Sequence, residues 1–192
     1  MRYGGKLRAV THCAPSQPYL PNGACIPMAQ VTLRGKPLST AGELPTVGSQ
    51  APAFALTGKD LSDVTNATFA GKRVVLNIFP SVDTAVCATS VRTFNQRAAA
   101  MEGATIVNVS ADLPFAQNRF CGAEGIENAS TASSFRSDFG QAFGLTLTDG
   151  PMRGLLARAV VVLDEHGKVA YTELVPEIAQ EPNYDAALAT LK

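Results

Sequence analysis

The fold of this chain is decided by residues 74–87, which read Val-Val-Leu-Asn-Ile-Phe-Pro-Ser-Val-Asp-Thr-Ala-Val-Cys. An apolar run ends at Pro80, a short polar turn follows, and Cys87 stands just ahead of residues 90–101, whose apolar spacing predicts a helix. The first backbone N–H groups of a helix have no partner inside it and, with the positive end of the helix dipole, they stabilise an anion. The stretch therefore predicts a strand, a loop and a helix start with a reactive cysteine.

Strands and helices alternate on both sides of this stretch. Residues 31–33 and 37–39 flank Arg34-Gly35-Lys36 and predict an N-terminal β-hairpin. Apolar and β-branched runs predict the other strands, and three- and four-residue apolar spacing predicts the helices. The remaining predicted strands are 53–57, 74–79, 105–110, 159–163 and 169–175, and the remaining predicted helices are 115–121, capped by Asp112 and ended by Gly122, then 135–143 and 184–191.

This order of elements predicts an α/β protein. Its strands would form a central mixed β-sheet flanked by helices on both faces, in a thioredoxin-like fold with the N-terminal hairpin added. The pattern begins at Met28, so residues 28–192 are predicted to form one domain.

Composition excludes several classes of partner. Lys plus Arg and Asp plus Glu are balanced at 16 each in 192 residues, so no charge excess indicates nucleic acid or an anionic membrane. No apolar run approaches the ~20 residues that span a bilayer, which predicts a soluble protein. Four cysteines are too few for a disulfide scaffold, and they direct attention to individual thiols.

Residues 1–27 differ from the rest in being rich in proline and irregular, and we expect a disordered extension. They contain no apolar segment that resembles the core of a signal peptide, which favours the cytoplasm over the periplasm. His12, Cys13 and Cys25 fit no zinc-ligand spacing, so no metal site is predicted there.

Four blocks of sequence resemble the bacterial thiol peroxidase subfamily of the peroxiredoxins, of the atypical two-cysteine type. The Pro-x-x-x-Thr-x-x-Cys motif that ends at Cys87 is general to peroxiredoxins, and Arg-Phe-Cys-Gly at 119–122 is typical of the subfamily. The resemblance covers residues 28–192, and Ala85 stands where many members have glycine. The blocks are 77–87, 110–117, 119–125 and 157–162.

The resemblance implies a thiol-dependent peroxidase that reduces hydrogen peroxide and organic hydroperoxides. Cys87 would be the peroxidatic cysteine, whose thiolate attacks the O–O bond and becomes a sulfenic acid. Cys121 would be the resolving cysteine, which forms an intramolecular disulfide with Cys87 that thioredoxin reduces. A homodimer is also expected from the family.

The same resemblance assigns supporting roles to three residues. A thiolate becomes less nucleophilic as its basicity falls, so ionisation alone does not explain fast peroxide reduction, and donors to the leaving oxygen are needed. Thr84, three residues before Cys87, and Arg158, at the start of a buried strand, are the predicted donors. Pro80 has no N–H and would shield the thiolate from water.

The two cysteines belong to different predicted helices. A disulfide requires Cα atoms within ~7 Å. We therefore expect the helix that spans 114–121, and the first turn around Cys87, to unwind on oxidation.

Two other functions share this fold and these thiols. A thiol-disulfide oxidoreductase is disfavoured because Thr84 occupies the first position of the usual Cys-x-x-Cys motif. A non-enzymatic redox sensor that uses Cys87 and Cys121 would consume about one equivalent of peroxide instead of turning over. No metal, flavin or nicotinamide signature is present, so no cofactor is predicted.

Overall fold

A seven-stranded mixed sheet lies at the centre of the protein in a computed structural model that describes residues 28–98, 101 and 103–191. The strands are Gln30–Leu33 (β1), Lys36–Ser39 (β2), Ala55–Gly58 (β3), Asp63–Thr65 (β4), Arg73–Ile78 (β5), Ala104–Ser110 (β6), Ala129–Ser133 (β7), Ala159–Leu163 (β8) and Val169–Leu174 (β9). The helices are Ala85–Ala98 (α1), Pro114–Glu124 (α2), Phe139–Ala142 (α3) and Tyr184–Ala189 (α4), and Asn66–Phe69 form one 3₁₀ turn.

The sheet has the strand order β4-β3-β7-β6-β5-β8-β9. The central strands β5, β6 and β7 are parallel, and β3, β4, β8 and β9 are antiparallel to their neighbours. The separate β1–β2 pair is the predicted N-terminal hairpin, with Arg34 and Gly35 at positive φ in its turn. The predicted α/β architecture and mixed sheet are confirmed.

Apolar side chains on both faces of the sheet explain the continuous hydrophobic runs in the sequence. Along β5, Val74, Leu76 and Ile78 belong to the core on one face, whereas Val75 belongs to the core on the other. The first core contains Phe54, Phe139 and Phe143 in mutual ring contact, and the second contains Phe94 and Tyr184. Strands buried on both faces lose the polar alternation that a half-exposed strand shows.

Helix boundaries account for most differences from the sequence prediction. The helix predicted from residue 90 begins at Ala85, so Cys87 lies inside its first turn and not ahead of it. Helix α2 continues past Gly122 to Glu124. Gly125 then caps it, because it adopts the left-handed conformation and donates its N–H to the Cys121 carbonyl. The residue that precedes α2 is Leu113, so the prediction that Asp112 caps this helix was wrong.

The helix predicted over residues 135–143 is also shorter than expected. It is confined to α3, because the hydroxyls of Ser133 and Ser137 accept hydrogen bonds from the N–H groups of Phe135 and Phe139 in a non-helical arrangement. Strands β4 and β7 were not predicted. Residues 129–133 read Ala-Ser-Thr-Ala-Ser, which is too polar to resemble a buried strand.

The proposed disordered extension 1–27, with His12, Cys13 and Cys25, lies outside the described residues. No described helix is both long enough and apolar enough to cross a bilayer.

Candidate active site

The candidate active site lies at the carboxyl end of β5, where residues 79–84 lead into α1. Cys87 occupies the first turn of α1, and its side chain is completely buried. Its apolar neighbours come from the same segment and from the region of α2: Phe79, Val82, Val91, Phe120 and Ile126.

Two side chains direct hydrogen-bond donors at the Cys87 sulfur. The hydroxyl of Thr84, which immediately precedes α1, lies 2.7 Å from Sγ. The Nη2 of Arg158 lies 3.2 Å from the same atom, although the two residues are 71 positions apart in sequence. The structure therefore brings together three of the predicted site residues, and both donors favour negative charge on sulfur.

The guanidinium of Arg158 is buried, with 1% of the residue exposed. Its Nε donates to the Ile178 carbonyl at 2.9 Å, and its Nη2 donates to Cys87. Its Nη1 is buried and has no hydrogen-bond partner among the described residues. Buried polar groups are normally paired, so this nitrogen is a donor available to a molecule that enters the site.

The loop before α1 is held by a carboxylate that the sequence reasoning had assigned elsewhere. Asp112 Oδ1 accepts from the Ser81 hydroxyl at 2.8 Å, and Oδ2 accepts from the backbone N–H of Val82 at 2.8 Å. Its Oδ2 also accepts from the Ser110 hydroxyl. Pro80 is a buried residue of this loop. Asp112 could have been found from its place directly after β6, because adjacent parallel strands end at the same edge of a sheet.

A buried polar network connects the first turn of α1 to strands β5 and β6. The Ser90 hydroxyl donates to the Cys87 carbonyl at 2.8 Å. The Nδ2 of Asn77 lies 3.4 Å from that hydroxyl and donates to Asn108 Oδ1 at 2.7 Å, and the two asparagines are cross-strand partners on β5 and β6. Sequence reasoning missed this network, although asparagine inside two apolar runs is the signal that could have shown it.

Cys121 lies in a different environment from Cys87. It is partly buried on α2 and lines a groove of about 770 Å³ together with residues of β7 and of the β3–β4 connection, among them Thr131 and Lys59. Burial raises the pKa of the Cys121 thiol, although a hydrogen bond with Thr131 opposes this. Both thiols are free, so the structure is that of the reduced state for this pair.

Among the described residues, no group of three His, Cys, Asp or Glu side chains is arranged to hold a metal ion. The arrangement at Cys87 is instead suited to nucleophilic chemistry at sulfur, because donors surround one thiol and a further donor is left for a reacting oxygen.

Comparison with known proteins identifies the family of this chain. Residues 46–188 match the protein family described as Redoxin. The thiol peroxidase of Mycobacterium tuberculosis is 68% identical over 164 residues, which cover 85% of this chain and 99% of that protein. The thiol peroxidase of Corynebacterium glutamicum is 56% identical over the same shares of the two chains.

A solved structure also aligns over most of the chain. The crystal structure of a peroxiredoxin-like protein from Aquifex aeolicus is 42% identical, with a TM-score of 0.81 over 86% of this chain and 97% of that one. The chain thus belongs to the Redoxin family and, within it, to the bacterial thiol peroxidases of the peroxiredoxin type.

Proposed function

We propose that this peroxidase reduces hydrogen peroxide and organic hydroperoxides through Cys87, with Cys121 as the resolving cysteine and thioredoxin as the reductant. The Cys87 thiolate attacks the terminal oxygen of the O–O bond and becomes a sulfenic acid. The other oxygen leaves with the bonding electron pair and takes up a proton as water or an alcohol. Cys121 then displaces hydroxide from the sulfenic sulfur, which gives the disulfide and water.

One observation carries the first step: Cys87 Sγ receives two donors while the Nη1 of Arg158 remains unpaired among the described residues. The attacking sulfur and the departing oxygen share one negative charge during the reaction. Donors that already point at this position stabilise the transition state without reorganising. Thr84 and Arg158 are accordingly the proposed donors, and Pro80 is the proposed shield against water.

The charge balance of the site supports a thiolate at Cys87. An unpaired buried cation is unfavourable, and no carboxylate forms a salt bridge with Arg158 within the described part of the chain. Among the groups that hydrogen-bond to this guanidinium, the sulfur of Cys87 is the one that can become an anion. The thiolate therefore offsets the cost of burying the arginine.

Burial of Cys87 also restricts access. Its sulfur has no exposed surface, whereas Thr84 beside it is exposed. A peroxide would enter past Thr84 and meet the apolar side chains of Phe79 and Val82. This surrounding favours small hydroperoxides, both hydrogen peroxide and small organic ones.

Cys121 is a poor nucleophile in the reduced fold. Its pKa is raised, so less of it is thiolate at neutral pH than for an exposed cysteine, and the thiolate is the form that attacks sulfur. Because the pKa of Cys121 is raised in the folded state, its contribution to the stability of the fold is fully present below the pKa of an exposed thiol and is lost as pH rises through the raised pKa. We propose that α2 and the first turn of α1 unwind on oxidation, which exposes Cys121 and brings it to Cys87.

Replacing Cys121 with serine separates the two steps. We expect Cys121→Ser to react once with peroxide at the wild-type rate and then to stop, because the Cys87 sulfenic acid has no thiol to condense with. Stopped-flow peroxide consumption measures the first event, and a sulfenic-acid trap followed by mass spectrometry detects its product. Normal sustained turnover with thioredoxin in Cys121→Ser would show that another thiol resolves Cys87.

The assay that tests the proposed function as a whole couples peroxide reduction to thioredoxin, its reductase and NADPH. Sustained NADPH consumption that requires both peroxide and thioredoxin is the expected result. Consumption of about one equivalent would favour the redox sensor. Reduction of protein disulfides without peroxide would favour the thiol-disulfide oxidoreductase.

The proposed compartment is the cytoplasm, whose thioredoxin pool keeps thiols reduced.

We propose a homodimer, and an exposed apolar patch is the surface that it would cover. Leu113, Phe115 and Phe135 are 50%, 66% and 44% exposed. They follow β6 and β7 at one edge of the sheet, where the Ser133 hydroxyl binds the Asp112 carbonyl. Large apolar side chains exposed near one another at a surface are typical of an interface, and the Ser133–Asp112 hydrogen bond brings the two segments that carry these three together.

Removing two of these aromatic rings is expected to weaken the dimer. We expect Phe115→Ser combined with Phe135→Ser to convert a wild-type dimer into a monomer in sedimentation velocity. Val47→Ser, which removes another exposed apolar side chain, is the matched control and should leave the dimer intact. A monomeric wild type, or an unchanged dimer in the double variant, would contradict this assignment.

A further inference from the structure

The N-terminal hairpin is attached to the chain segment that orients Arg158. In β1, the Thr32 N–H donates to the Pro176 carbonyl at 2.7 Å, and the Thr32 carbonyl accepts from the Ile178 N–H at 2.8 Å. These two bonds make residue 32 pair with residue 177 as in a parallel sheet. The hairpin therefore fixes residues 176–178 from outside the central sheet.

The Glu177 carboxylate is the centre of this attachment. Its Oε1 accepts from the N–H of Arg34 at 3.0 Å and from the N–H of Ala179 at 3.1 Å. Its Oε2 accepts from the N–H of Gly35 at 3.1 Å and from the Thr32 hydroxyl at 2.8 Å. Hydrogen bonds from backbone N–H groups, that of Gly35 first, lower the pKa of Glu177 to about 2. The carboxylate thus remains charged, and able to accept all four bonds, throughout the physiological range.

The residue next to Glu177 contacts the active-site arginine. The Ile178 carbonyl accepts from Arg158 Nε at 2.9 Å, while Nη2 of the same guanidinium reaches Cys87 Sγ at 3.2 Å. Both Ile178 and Arg158 are buried. A guanidinium is planar and rigid, so fixing Nε on one carbonyl also fixes the direction of both terminal nitrogens.

We propose that Glu177 is a positioning residue for Arg158: its carboxylate holds the hairpin turn against residues 176–178 and so fixes the Ile178 carbonyl that aims the guanidinium at Cys87. The proposal rests on the function proposed above for Arg158 and Cys87. The N-terminal hairpin then acts as a support of the active site, although no residue of it is assigned a contact with the reacting atoms.

Glu177→Gln is the variant that tests this proposal. The amide retains the shape of the carboxylate, but its NH₂ group cannot accept from N–H donors, so about half of the attachment is lost. We expect the rate constant for Cys87 oxidation by peroxide to fall roughly tenfold, because small displacements of an aligned donor are costly. The rate of the later disulfide formation with Cys121 should not change. Stopped-flow measurements resolve the two steps.

Asp149→Asn is the matched control. Asp149 Oδ1 accepts from the Ser39 N–H at 3.0 Å and so holds the other strand of the same hairpin, but it does not contact residues 176–178. Cys87 in Asp149→Asn should be oxidised by peroxide at the wild-type rate. If Asp149→Asn slows oxidation as much as Glu177→Gln does, or if Glu177→Gln slows both steps equally, the effect is general loosening and the proposal is wrong.

Two further variants test the same connection between Glu177 and Arg158. Thr32→Val keeps a β-branched side chain but removes the hydroxyl that lies 2.8 Å from Glu177 Oε2 and 3.1 Å from the Pro176 carbonyl, and it should give a smaller loss in the same step. In an Arg158→Lys background, Glu177→Gln should have no further effect, since the two residues act in series. Additive losses would contradict the proposal.

Alkylation of Cys87 by iodoacetamide reports on the Arg158 contact without peroxide, because the thiolate is the form that reacts. It should slow in Glu177→Gln and not in Asp149→Asn. If the wild type failed to reduce peroxide but this difference remained, the proposed function would be wrong and the positioning role correct. An unchanged alkylation rate would contradict the positioning role.

Discussion

Replacing Cys87 with serine is expected to lower peroxidase activity by at least about four orders of magnitude, to the level of the uncatalysed reaction. Serine has nearly the same shape as cysteine, so the completely buried site should remain packed. Its hydroxyl, however, is not ionised at neutral pH and does not form a stable product of the sulfenic type. The measurement is the second-order rate constant with hydrogen peroxide, together with the coupled thioredoxin assay.

The chain provides its own control for this substitution. It contains four cysteines, and the variant in which both Cys13 and Cys25 become serine should retain wild-type turnover. Circular dichroism and thermal melting establish that Cys87→Ser is folded. Residual peroxidase activity in folded Cys87→Ser would mean that another residue attacks the peroxide, and the proposed mechanism would have to be abandoned.

The second large effect is expected at Arg158. Arg158→Gln removes the cation at 3.2 Å from Cys87 Sγ and with it Nη1, which has no hydrogen-bond partner among the described residues. The variant therefore loses both stabilisation of the thiolate and a donor to the leaving oxygen. We expect the rate constant for peroxide to fall by about 10²–10³-fold, the loss that follows removal of one preorganised donor. The variant is measured by stopped-flow oxidation of Cys87.

Arg153, which lies with Arg158 in the segment between α3 and β8, serves as the control for this substitution. Arg153 is exposed and precedes the same strand, so Arg153→Gln removes the same charge without touching the site. It should react at the wild-type rate. Equal losses in the two variants would indicate a general effect of protein charge, and an unchanged Arg158→Gln would remove the guanidinium from the mechanism.

The elements that could be predicted from sequence are those whose burial is encoded locally. Strands β5 and β8 are continuous apolar runs, and their place between two cores follows directly from that pattern. The hairpin was predicted from two short strands around Arg34-Gly35-Lys36, and Gly35 adopts a positive φ in its turn. The predicted helix at 184–191 corresponds to α4, where the Asn183 side chain accepts the N–H of Ala186. In each of these elements, neighbouring residues provide the decisive interaction.

The elements that were missed depend on distant partners. Strand β7 is small and polar, and it is a strand because β6 pairs with it in parallel and β3 pairs with it at its end. Asp112 is a residue type that often caps helices. Its carboxylate instead accepts hydrogen bonds from the Ser81 hydroxyl and the Val82 N–H in the loop before α1. Interactions between residues far apart in sequence override local preference in both cases.

The candidate site also contains both local contacts, which the sequence predicts, and contacts between distant residues, which the local sequence pattern does not predict. Thr84 and Cys87 lie one helical turn apart, so their contact follows from the motif itself. Arg158 was identified through the family resemblance, and the structure brings it to Cys87 from 71 residues away. The attachment of Glu177 to the hairpin joins residues more than 140 positions apart and could not have been predicted from either segment.

In the proposed mechanism, peroxide oxidises Cys87 and Cys121 resolves it within the same chain. The most direct measurement treats the reduced protein with one equivalent of hydrogen peroxide, blocks free thiols, and identifies cross-linked peptides by mass spectrometry without reduction. We expect a chain that is not cross-linked to a second one, with the Cys87 and Cys121 peptides joined and the other two cysteines blocked. Apart from the two blocking groups, its mass should be lower than that of the reduced chain by two hydrogen atoms. A Cys87 that remains alkylated by the blocking reagent, or that is joined to Cys13, Cys25 or a second chain, would contradict it.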